Sequence, residues 1–113
     1  MHEYSIVASL IERVDACRPQ AAHVKRLHVR IGELSGVDIP LLVTAYETFR
    51  DCTSCRDAEL VVEATPASWR CPRCDAPFAR GARLHCLACD AGARLVQGDE
   101  IILQRIEMEV PDV

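Results

Sequence analysis

The architecture expected for this chain follows from the stretch VKRLHVRI at residues 24–31. Its apolar residues Leu27, Val29 and Ile31 alternate with basic residues, which predicts a β-strand with one face buried and the other in water. A second strand is predicted for ELVVEA at 59–64, after an intervening helix. Because strand–helix–strand units favour a right-handed crossover, we expect these two strands to lie parallel in one sheet.

Two helices are predicted to cover the buried face of this sheet. Residues 3–17, EYSIVASLIERVDAC, carry apolar residues at helical spacing, and Cys17 continues that stripe as an expected core residue. The second helix begins after Asp38, whose side-chain oxygen can cap its N-terminus. The inner face of the second helix is predicted to consist of Leu42, Ala45, Tyr46 and Phe49.

A third strand is predicted in IILQRIEMEV at residues 101–110, near the end of the chain. Alternation places four apolar residues on its buried face: Ile102, Ile106, Met108 and Val110. The expected fold is therefore α+β, with two helices packed on one face of a three-stranded mixed sheet. A segment without regular periodicity interrupts this pattern before the last strand.

The irregular segment contains WRCPRCDAPFARGARLHCLACDAG at residues 69–92. Its two Cys-x-x-Cys pairs are Cys71 with Cys74 and Cys86 with Cys89. Each pair lets two thiolates reach one ion from a tight turn, and two pairs make the tetrahedral four-sulfur shell that suits Zn²⁺. Because a closed shell leaves no open coordination position, we expect this zinc to be structural rather than catalytic.

Two alternatives for the four cysteines remain open on the sequence. Iron in a rubredoxin-like site is one, although such sites commonly have glycine where this chain has Asp75 and Asp90. Thiol pairs or disulfides without an ion are the other, and they fit a reducing compartment poorly. His85 adjoins the second pair and is expected at the surface or beside the ligands rather than among them.

The cysteine segment divides the chain into two expected domains. Residues 67–98 form an inserted, zinc-ribbon-like loop domain with four cysteine ligands, and residues 1–66 plus 99–113 form an α/β domain. The joins at 66–70 and 96–99 are expected to be flexible, which would permit exchange of the loop between two chains. The sequence leaves both a monomer and a homodimer open.

The chain has a further Cys-x-x-Cys pair, Cys52 and Cys55, at the end of the second predicted helix. A redox-active pair usually sits at a helix N-terminus, where the helix dipole lowers the thiol pKa. Because these residues are at the opposite end, we favour incidental cysteines over a thiol oxidoreductase or a second metal site, and leave those two as alternatives.

Composition excludes several function classes. The 113 residues carry a formal net charge of −4 and only 4% are aromatic, which gives no general attraction to nucleic acid or anionic lipid. No apolar run is long enough to span a bilayer, and the start lacks the pattern of a signal peptide. We therefore expect a cytoplasmic protein with no nucleic-acid or membrane partner, and keep a zinc-ribbon module that binds nucleic acid or protein as the alternative function.

The sequence begins MHE, and these residues offer several nitrogen donors. The amine of Met1, the backbone nitrogen of His2 and the His2 imidazole Nδ1 can chelate one ion in a single plane. The amide of Glu3 can complete a square of donors, which suits Ni²⁺ or Cu²⁺ rather than Zn²⁺. On spacing alone this motif is weak, because a solvated terminus explains His2 more simply.

Four features in this order give the chain a family resemblance. They are MHEYSIVASLIE at 1–12, IGELSGVD at 31–38, the two Cys-x-x-Cys pairs of the irregular segment, and QGDEIILQRIEME at 97–109. Together they resemble the HypA/HybF family of hydrogenase maturation proteins, and the match runs over nearly the whole chain. The resemblance implies a nickel metallochaperone without enzymatic activity, carrying an α/β nickel-binding part and a structural zinc loop.

The resemblance also implies partners and site residues. It implies delivery of Ni²⁺ to the large subunit of [NiFe]-hydrogenase together with a GTPase partner, HypB, and it leaves open whether urease is supplied. By position, nickel is expected at Met1, His2 and Glu3, and structural zinc at the four cysteines of the irregular segment. Asp38 is carried over as an accessory residue near the terminus, where a helix cap explains it equally well.

Overall fold

The computed structural model describes residues 2–19 and 21–110, and these residues form two helices and seven strands. Helix α1 spans His2–Cys17 and α2 spans Ile39–Phe49, followed by a short 3₁₀ turn at Arg50–Cys52. The strands are β1 His23–Gly32, β2 Glu59–Thr65, β3 Ser68–Arg70, β4 His85–Cys86, β5 Ala91–Gly92, β6 Arg94–Gln97 and β7 Ile101–Glu109. Neither described helix has the length and apolar character needed to cross a membrane.

The main sheet has three strands in the order β2-β1-β7, with β1 in the centre. β1 and β2 run parallel, with Leu27 opposite Leu60, and β1 and β7 run antiparallel, with Leu27 opposite Ile106. The expected mixed sheet and the parallel crossover through α2 are therefore confirmed. Strand β1, in the centre, alternates buried apolar residues with more exposed polar ones from Leu27 to Ile31, as predicted.

Both helices pack on the apolar face of β1. The side chains of Leu27, Val29 and Ile31 are almost completely buried there. The helices contribute Val7, Leu10, Ile11, Val14, Leu42, Ala45 and Tyr46 to the same core. The buried hydroxyl of Tyr46 donates a 2.8 Å hydrogen bond to the carbonyl of Ala58, which satisfies the one polar atom that this ring brings into the core.

Two residues predicted for the core lie outside it. Phe49 is 43% exposed, and Cys17 is also exposed. Each is the last residue of its helix, three residues beyond the last buried side chain, Tyr46 in α2 and Val14 in α1. The helical spacing is correct in both cases, but the apolar stripe continues past the end of the sheet that it covers.

The face assigned to the last strand is wrong at Ile102, which is 41% exposed, and at Val110, which is 61% exposed because it lies beyond the end of β7. His28 pairs with Arg105 and the next residue, Val29, pairs with Leu103, so Gln104 is an extra residue that forms a β-bulge. One extra residue reverses the faces of everything before it. Leu103, rather than Ile102, therefore packs on the core together with Ile106.

A two-stranded ribbon connects the cysteine segment to the sheet. β3 and β6 pair antiparallel, with Trp69 opposite Leu95. The joins expected to be flexible at 66–70 and 96–99 are thus largely made of paired strands. These strands have three and four residues, too short for an alternating pattern to be recognised in the sequence.

The ribbon meets the end of β1 through a close backbone contact between Gly32 and Gly98. The N–H of Gly32 donates to the carbonyl of Glu100 at 2.8 Å, and the N–H of Leu34 donates to the carbonyl of Gly98 at 2.6 Å. A Cβ on residue 32 would lie 2.2 Å from the oxygen of Gly98 and 2.7 Å from the nitrogen of Asp99. Because both are backbone atoms, only glycine fits at this position.

We expect Gly32→Ala to lower the free energy of unfolding by about 1–3 kcal/mol, since the new methyl group must push the two backbones apart. Chemical denaturation followed by circular dichroism measures the change. Gly92→Ala is the matched control, because a Cβ there meets no atom within 4 Å. Equal stability of the two variants would contradict the close contact.

Candidate metal centres

The fold brings the four cysteines of the two predicted pairs together. Cys71 and Cys74 lie on the turn that follows β3, while Cys86 ends β4 and Cys89 lies on the turn between β4 and β5. Their four sulfur atoms all lie within 4.8 Å of one another. This spacing is what a single ion with four thiolate ligands requires.

Two aspartates shape the turns that carry these sulfurs. Asp75 and Asp90, the residues directly after each pair, have left-handed backbones with φ of 60° and 49°. Aspartate is among the few residues besides glycine that adopt this conformation readily. Because aspartate adopts the left-handed turn that glycine also allows, its presence here does not discriminate zinc from iron.

Two thiols of the cluster, Cys71 and Cys89, differ in their tendency to ionise. Backbone N–H groups of Cys74 and Arg73 lower the pKa of the Cys71 thiol to about 6, with the N–H of Arg73 3.4 Å from its sulfur. The neighbouring sulfurs, Cys74 foremost, together with burial raise the pKa of Cys89 to about 12. Cys71 therefore favours the thiolate and Cys89 the thiol, and a divalent ion bound between them would favour the thiolate at both.

His85 lies beside this cluster but is not part of it. Its Nε2 is 3.0 Å from a carboxylate oxygen of Asp90, on the turn that follows the second pair. The contact links β4 to that turn across the small hairpin. His85 thus occupies the expected position next to the ligands, where it supports the turn.

The N-terminal residues form a second polar cluster at the start of α1. His2 begins the helix with its side chain 66% exposed, whereas Glu3 is only 4% exposed as a residue. A carboxylate oxygen of Glu3 accepts a 3.3 Å hydrogen bond from the N–H of Asp38 and lies 3.5 Å from Nε2 of His2. The structure therefore brings His2, Glu3 and Asp38 together, while Met1 lies outside the described residues.

Electrostatics keep Glu3 charged. Its own backbone N–H and that of Asp38 hold the pKa of the Glu3 carboxyl below its ordinary value. These groups belong to the N-terminal ends of α1 and α2, where helix dipoles place partial positive charge. A carboxylate between two helix N-termini thus offsets positive charge that would otherwise oppose a bound cation.

Asp38 acts as a helix cap. Its Oδ1 accepts a 3.1 Å hydrogen bond from the N–H of Leu41 in the first turn of α2. Its backbone N–H is the group that binds Glu3. The capping role is confirmed, and the contact with Glu3 puts Asp38 next to the terminus, as the resemblance implied.

The other Cys-x-x-Cys pair lacks the properties of a redox site. Cys55 is completely buried in the core, and burial foremost raises the pKa of its thiol. Cys52 is exposed in the 3₁₀ turn. A buried thiol with a raised pKa is a poor nucleophile, so the structure favours the incidental role for both.

An ion pair that the sequence did not reveal fixes the cysteine loop to the body of the protein. The guanidinium of Arg80, midway between the two cysteine pairs, binds the carboxylate of Glu33 with both terminal nitrogens, one of them at 3.0 Å. Glu33 also accepts a 2.8 Å hydrogen bond from the N–H of Ala67. Arg80 foremost, then Ala67, lowers the pKa of Glu33 to about 2. The partners are 47 residues apart, and no local pattern joins them.

Comparison with known proteins agrees with this arrangement. The family described as hydrogenase/urease nickel incorporation, metallochaperone, hypA matches residues 1–108. The hydrogenase maturation factor HypA of Shewanella oneidensis is 39% identical over 113 residues, covering 96% of each chain. That of Wolinella succinogenes is 41% identical over 117 residues, covering 99% of this chain and 98% of the relative.

A solved structure is similar over nearly the whole length as well. The solution structure of the Ni metallochaperone HypA from Helicobacter pylori has a TM-score of 0.68 and 35% identity with this chain. The match covers 98% of this chain and 100% of the other. The likeness therefore includes both the α/β body and the cysteine loop.

We expect Arg80→Gln to raise the pKa of Glu33 from about 2 toward its ordinary value of 4.5, because only the N–H of Ala67 then favours the carboxylate. Since the folded pKa is the lower one, the stability that Arg80 adds is complete above pH 4.5 and is lost as the pH falls through about 2. An NMR titration of the Glu33 carboxyl measures the shift.

The control for this experiment is Arg83→Gln, an exposed arginine of the same loop. It should leave the Glu33 titration unchanged. A Glu33 pKa that stays near 2 in Arg80→Gln would show that Arg80 does not hold the loop.

Proposed function

Because the chain belongs to the HypA family of nickel-incorporation metallochaperones, we propose that it binds Ni²⁺ at its N-terminus and delivers it during maturation of [NiFe]-hydrogenase. As a member of this family it is a metallochaperone and not an enzyme. The observation that carries the nickel site is the cluster of His2, Glu3 and Asp38, where two helices begin.

The proposed nickel ligands are the Met1 amine, the His2 backbone nitrogen and imidazole, and the Glu3 amide. The first N–H groups of a helix have no carbonyl partner within the helix. The backbone nitrogens of His2 and Glu3 stand at this position in α1, so binding nickel costs no helical hydrogen bond, and the Glu3 amide gives up only its contact with the Glu3 carboxylate. Such chelation requires a free amine on Met1 and releases protons, so affinity falls in acid.

Exposure at this site suits a carrier. The side chain of His2 is open to solvent, which lets another protein approach the ion and exchange ligands with it. Glu3 and Asp38 act behind the ligands in this proposal: the buried contact between them fixes the start of α1 against α2. An accessory role for Asp38 is thus one of position, since its carboxylate already caps α2.

The second proposed ion is structural Zn²⁺, held by Cys71, Cys74, Cys86 and Cys89. Four thiolates close the coordination shell, so the ion supplies folding energy to a loop with few buried apolar residues and takes no part in transfer. We propose the loop, residues 67–98, as a zinc-binding domain inserted into an α/β domain of residues 1–66 plus 99–113.

The proposed partners are a HypB-type GTPase and the large subunit of [NiFe]-hydrogenase, in the cytoplasm. Hydrogenase is preferred to urease as the destination because the relatives from Shewanella oneidensis and Wolinella succinogenes are hydrogenase maturation factors. A role as a nucleic-acid-binding zinc ribbon is not favoured, since the formal net charge of −4 opposes contact with phosphate.

We expect Cys74→Ser to abolish stoichiometric zinc binding, because three thiolates and a hydroxyl hold zinc far less well than four thiolates. Elemental analysis of purified protein measures the metal content. Cys52→Ser is the matched control, as it removes one cysteine of the other Cys-x-x-Cys pair and should keep one zinc per chain. Zinc lost from both variants, or from neither, would contradict the assignment.

We expect His2→Ala to weaken Ni²⁺ binding at least about tenfold while zinc content stays unchanged, because the imidazole closes the six-membered chelate ring. Isothermal titration with Ni²⁺ measures the affinity of the untagged protein. His23→Ala, at an exposed histidine that begins β1, is the control and should bind nickel normally.

A short N-terminal extension provides a second, independent perturbation of this site. It removes the free amine of Met1 and leaves the imidazole of His2 intact, so it too should weaken nickel binding. Equal nickel affinity for the native, extended and His2→Ala proteins would refute the N-terminal site.

A further inference from the structure

The main sheet ends in two edge strands that differ in their surroundings. β2 and β7 are the outer strands of the order β2-β1-β7, and within residues 2–19 and 21–110 neither has a partner on its outer side. An edge strand offers a row of unpaired N–H and C=O groups to any extended chain, and proteins usually protect such edges with charge.

Charge protects the edge at β2. The groove between α2 and this strand has four charged residues, Glu47, Arg50, Asp57 and Glu59, beside the apolar or aromatic Val43, Tyr46 and Leu60. An incoming strand would have to remove water from these groups, which is unfavourable unless each of them finds a partner. We therefore do not expect a strand to add at β2.

The edge at β7 is apolar where it borders α1, at residues 101–103, while the rest of the strand carries charged residues at 105, 107 and 109. A groove of about 310 Å³ runs between α1 and β7, with Ile6 and Leu10 on the helix side and Ile101 and Leu103 on the strand side. Polar residues appear only on its helical rim: His2, Ser5, Ser9 and Arg13. An added strand would place every second side chain in this groove.

Arg13 gives the groove a charge preference at one end. It is exposed, and in the described part of the chain its guanidinium has no carboxylate within salt-bridge distance. Its neighbour in the groove, Leu10, is apolar. A ligand with an acidic residue beyond its apolar side chains would match this arrangement.

We propose that the groove between α1 and β7 binds an extended segment of a partner protein, which adds to the edge of β7 as a fourth strand. The segment has apolar residues at alternate positions that enter the groove, and an acidic residue that pairs with Arg13. Backbone hydrogen bonds to Ile101 and its neighbours supply affinity, and the groove supplies specificity.

The bulge at Gln104 sets the length of the pairing. Because the bulge interrupts the regular edge of β7, the added strand pairs over the short stretch at 101–103 that borders the groove. A short ladder gives weak, reversible binding, as a transient encounter needs. His2 lines the same groove, so the bound segment lies beside the proposed nickel ligand.

The use of this surface in nickel transfer rests on the proposed function, but the binding of the segment does not. The experiment therefore uses zinc-loaded protein without nickel. The probes are two short synthetic peptides, acetylated and amidated, with valine or leucine alternating with threonine and a glutamate at one end or the other. We expect one of the two orientations to bind, and the β7 amides to gain protection from hydrogen exchange, measured by NMR.

Substitutions in α1 test the groove and the charge separately. Ser9→Gln fills the groove and should weaken binding about tenfold or more, whereas Glu12→Gln, on the exposed part of α1 outside the groove, should leave it unchanged. Arg13→Glu should weaken binding of the glutamate peptide about fivefold and favour a lysine peptide instead, the size expected for an exposed ion pair. Circular dichroism verifies that each variant is folded.

Three outcomes would overturn the inference. The first is equal binding of a peptide whose backbone amides are methylated, because it cannot form the ladder. The second is binding that leaves the β7 amides unprotected. The third is concentration-dependent protection of β7 without peptide, with a dimer in sedimentation, since the edge would then be occupied by a second copy of the chain.

Failure of this inference is distinguishable from failure of the nickel site. Peptide binding is measured without nickel and nickel binding without peptide, so each result is obtained independently of the other. Nickel binding as proposed with no peptide bound would refute the docking surface alone. Peptide binding with no effect of His2 on nickel would refute the nickel site alone.

Discussion

The close contact between Gly32 and Gly98 is the constraint on which the arrangement of both candidate centres depends. It brings the ribbon of the cysteine loop against the end of β1, where the chain turns toward α2. On one side of this turn Glu33 binds Arg80 of the loop, and at its other end Asp38 binds Glu3 of the N-terminal cluster. The connection at residues 32–38 therefore positions both clusters, although the N-terminal residues and the cysteine loop are far apart in the sequence.

Charge at the N-terminal cluster is balanced before any ion arrives. Two helices begin there, and Glu3 is buried between them as the counterion. A buried carboxylate is costly unless it accepts hydrogen bonds, and backbone N–H groups lower its pKa accordingly. Glu3 therefore has two roles in the proposed site. Its amide is a proposed nickel ligand, and its side chain stabilises the start of α1 against α2.

Patterns within a few residues predicted most of the fold, and contacts between distant residues account for what was missed. Alternation in 24–31 and the Cys-x-x-Cys spacing are local, so the central strand and the four-cysteine cluster follow directly. The bulge at Gln104 depends on how β7 fits against β1, and the ion pair of Glu33 with Arg80 joins segments 47 residues apart. Neither leaves a periodic signal, and helix ends such as Phe49 depend on where the sheet stops.

Geometry, rather than affinity alone, must separate the two metals in the proposed scheme. A tetrahedral four-thiolate shell suits zinc, while a planar set of nitrogens suits nickel and suits copper even better, because Cu²⁺ exceeds Ni²⁺ in the affinity order of divalent metals. The ligands of His2 and its neighbours therefore cannot by themselves reject copper. Selection of nickel must then come from metal availability in the cell and from the partner that meets the exposed site, so the surface beside His2 matters as much as its donors.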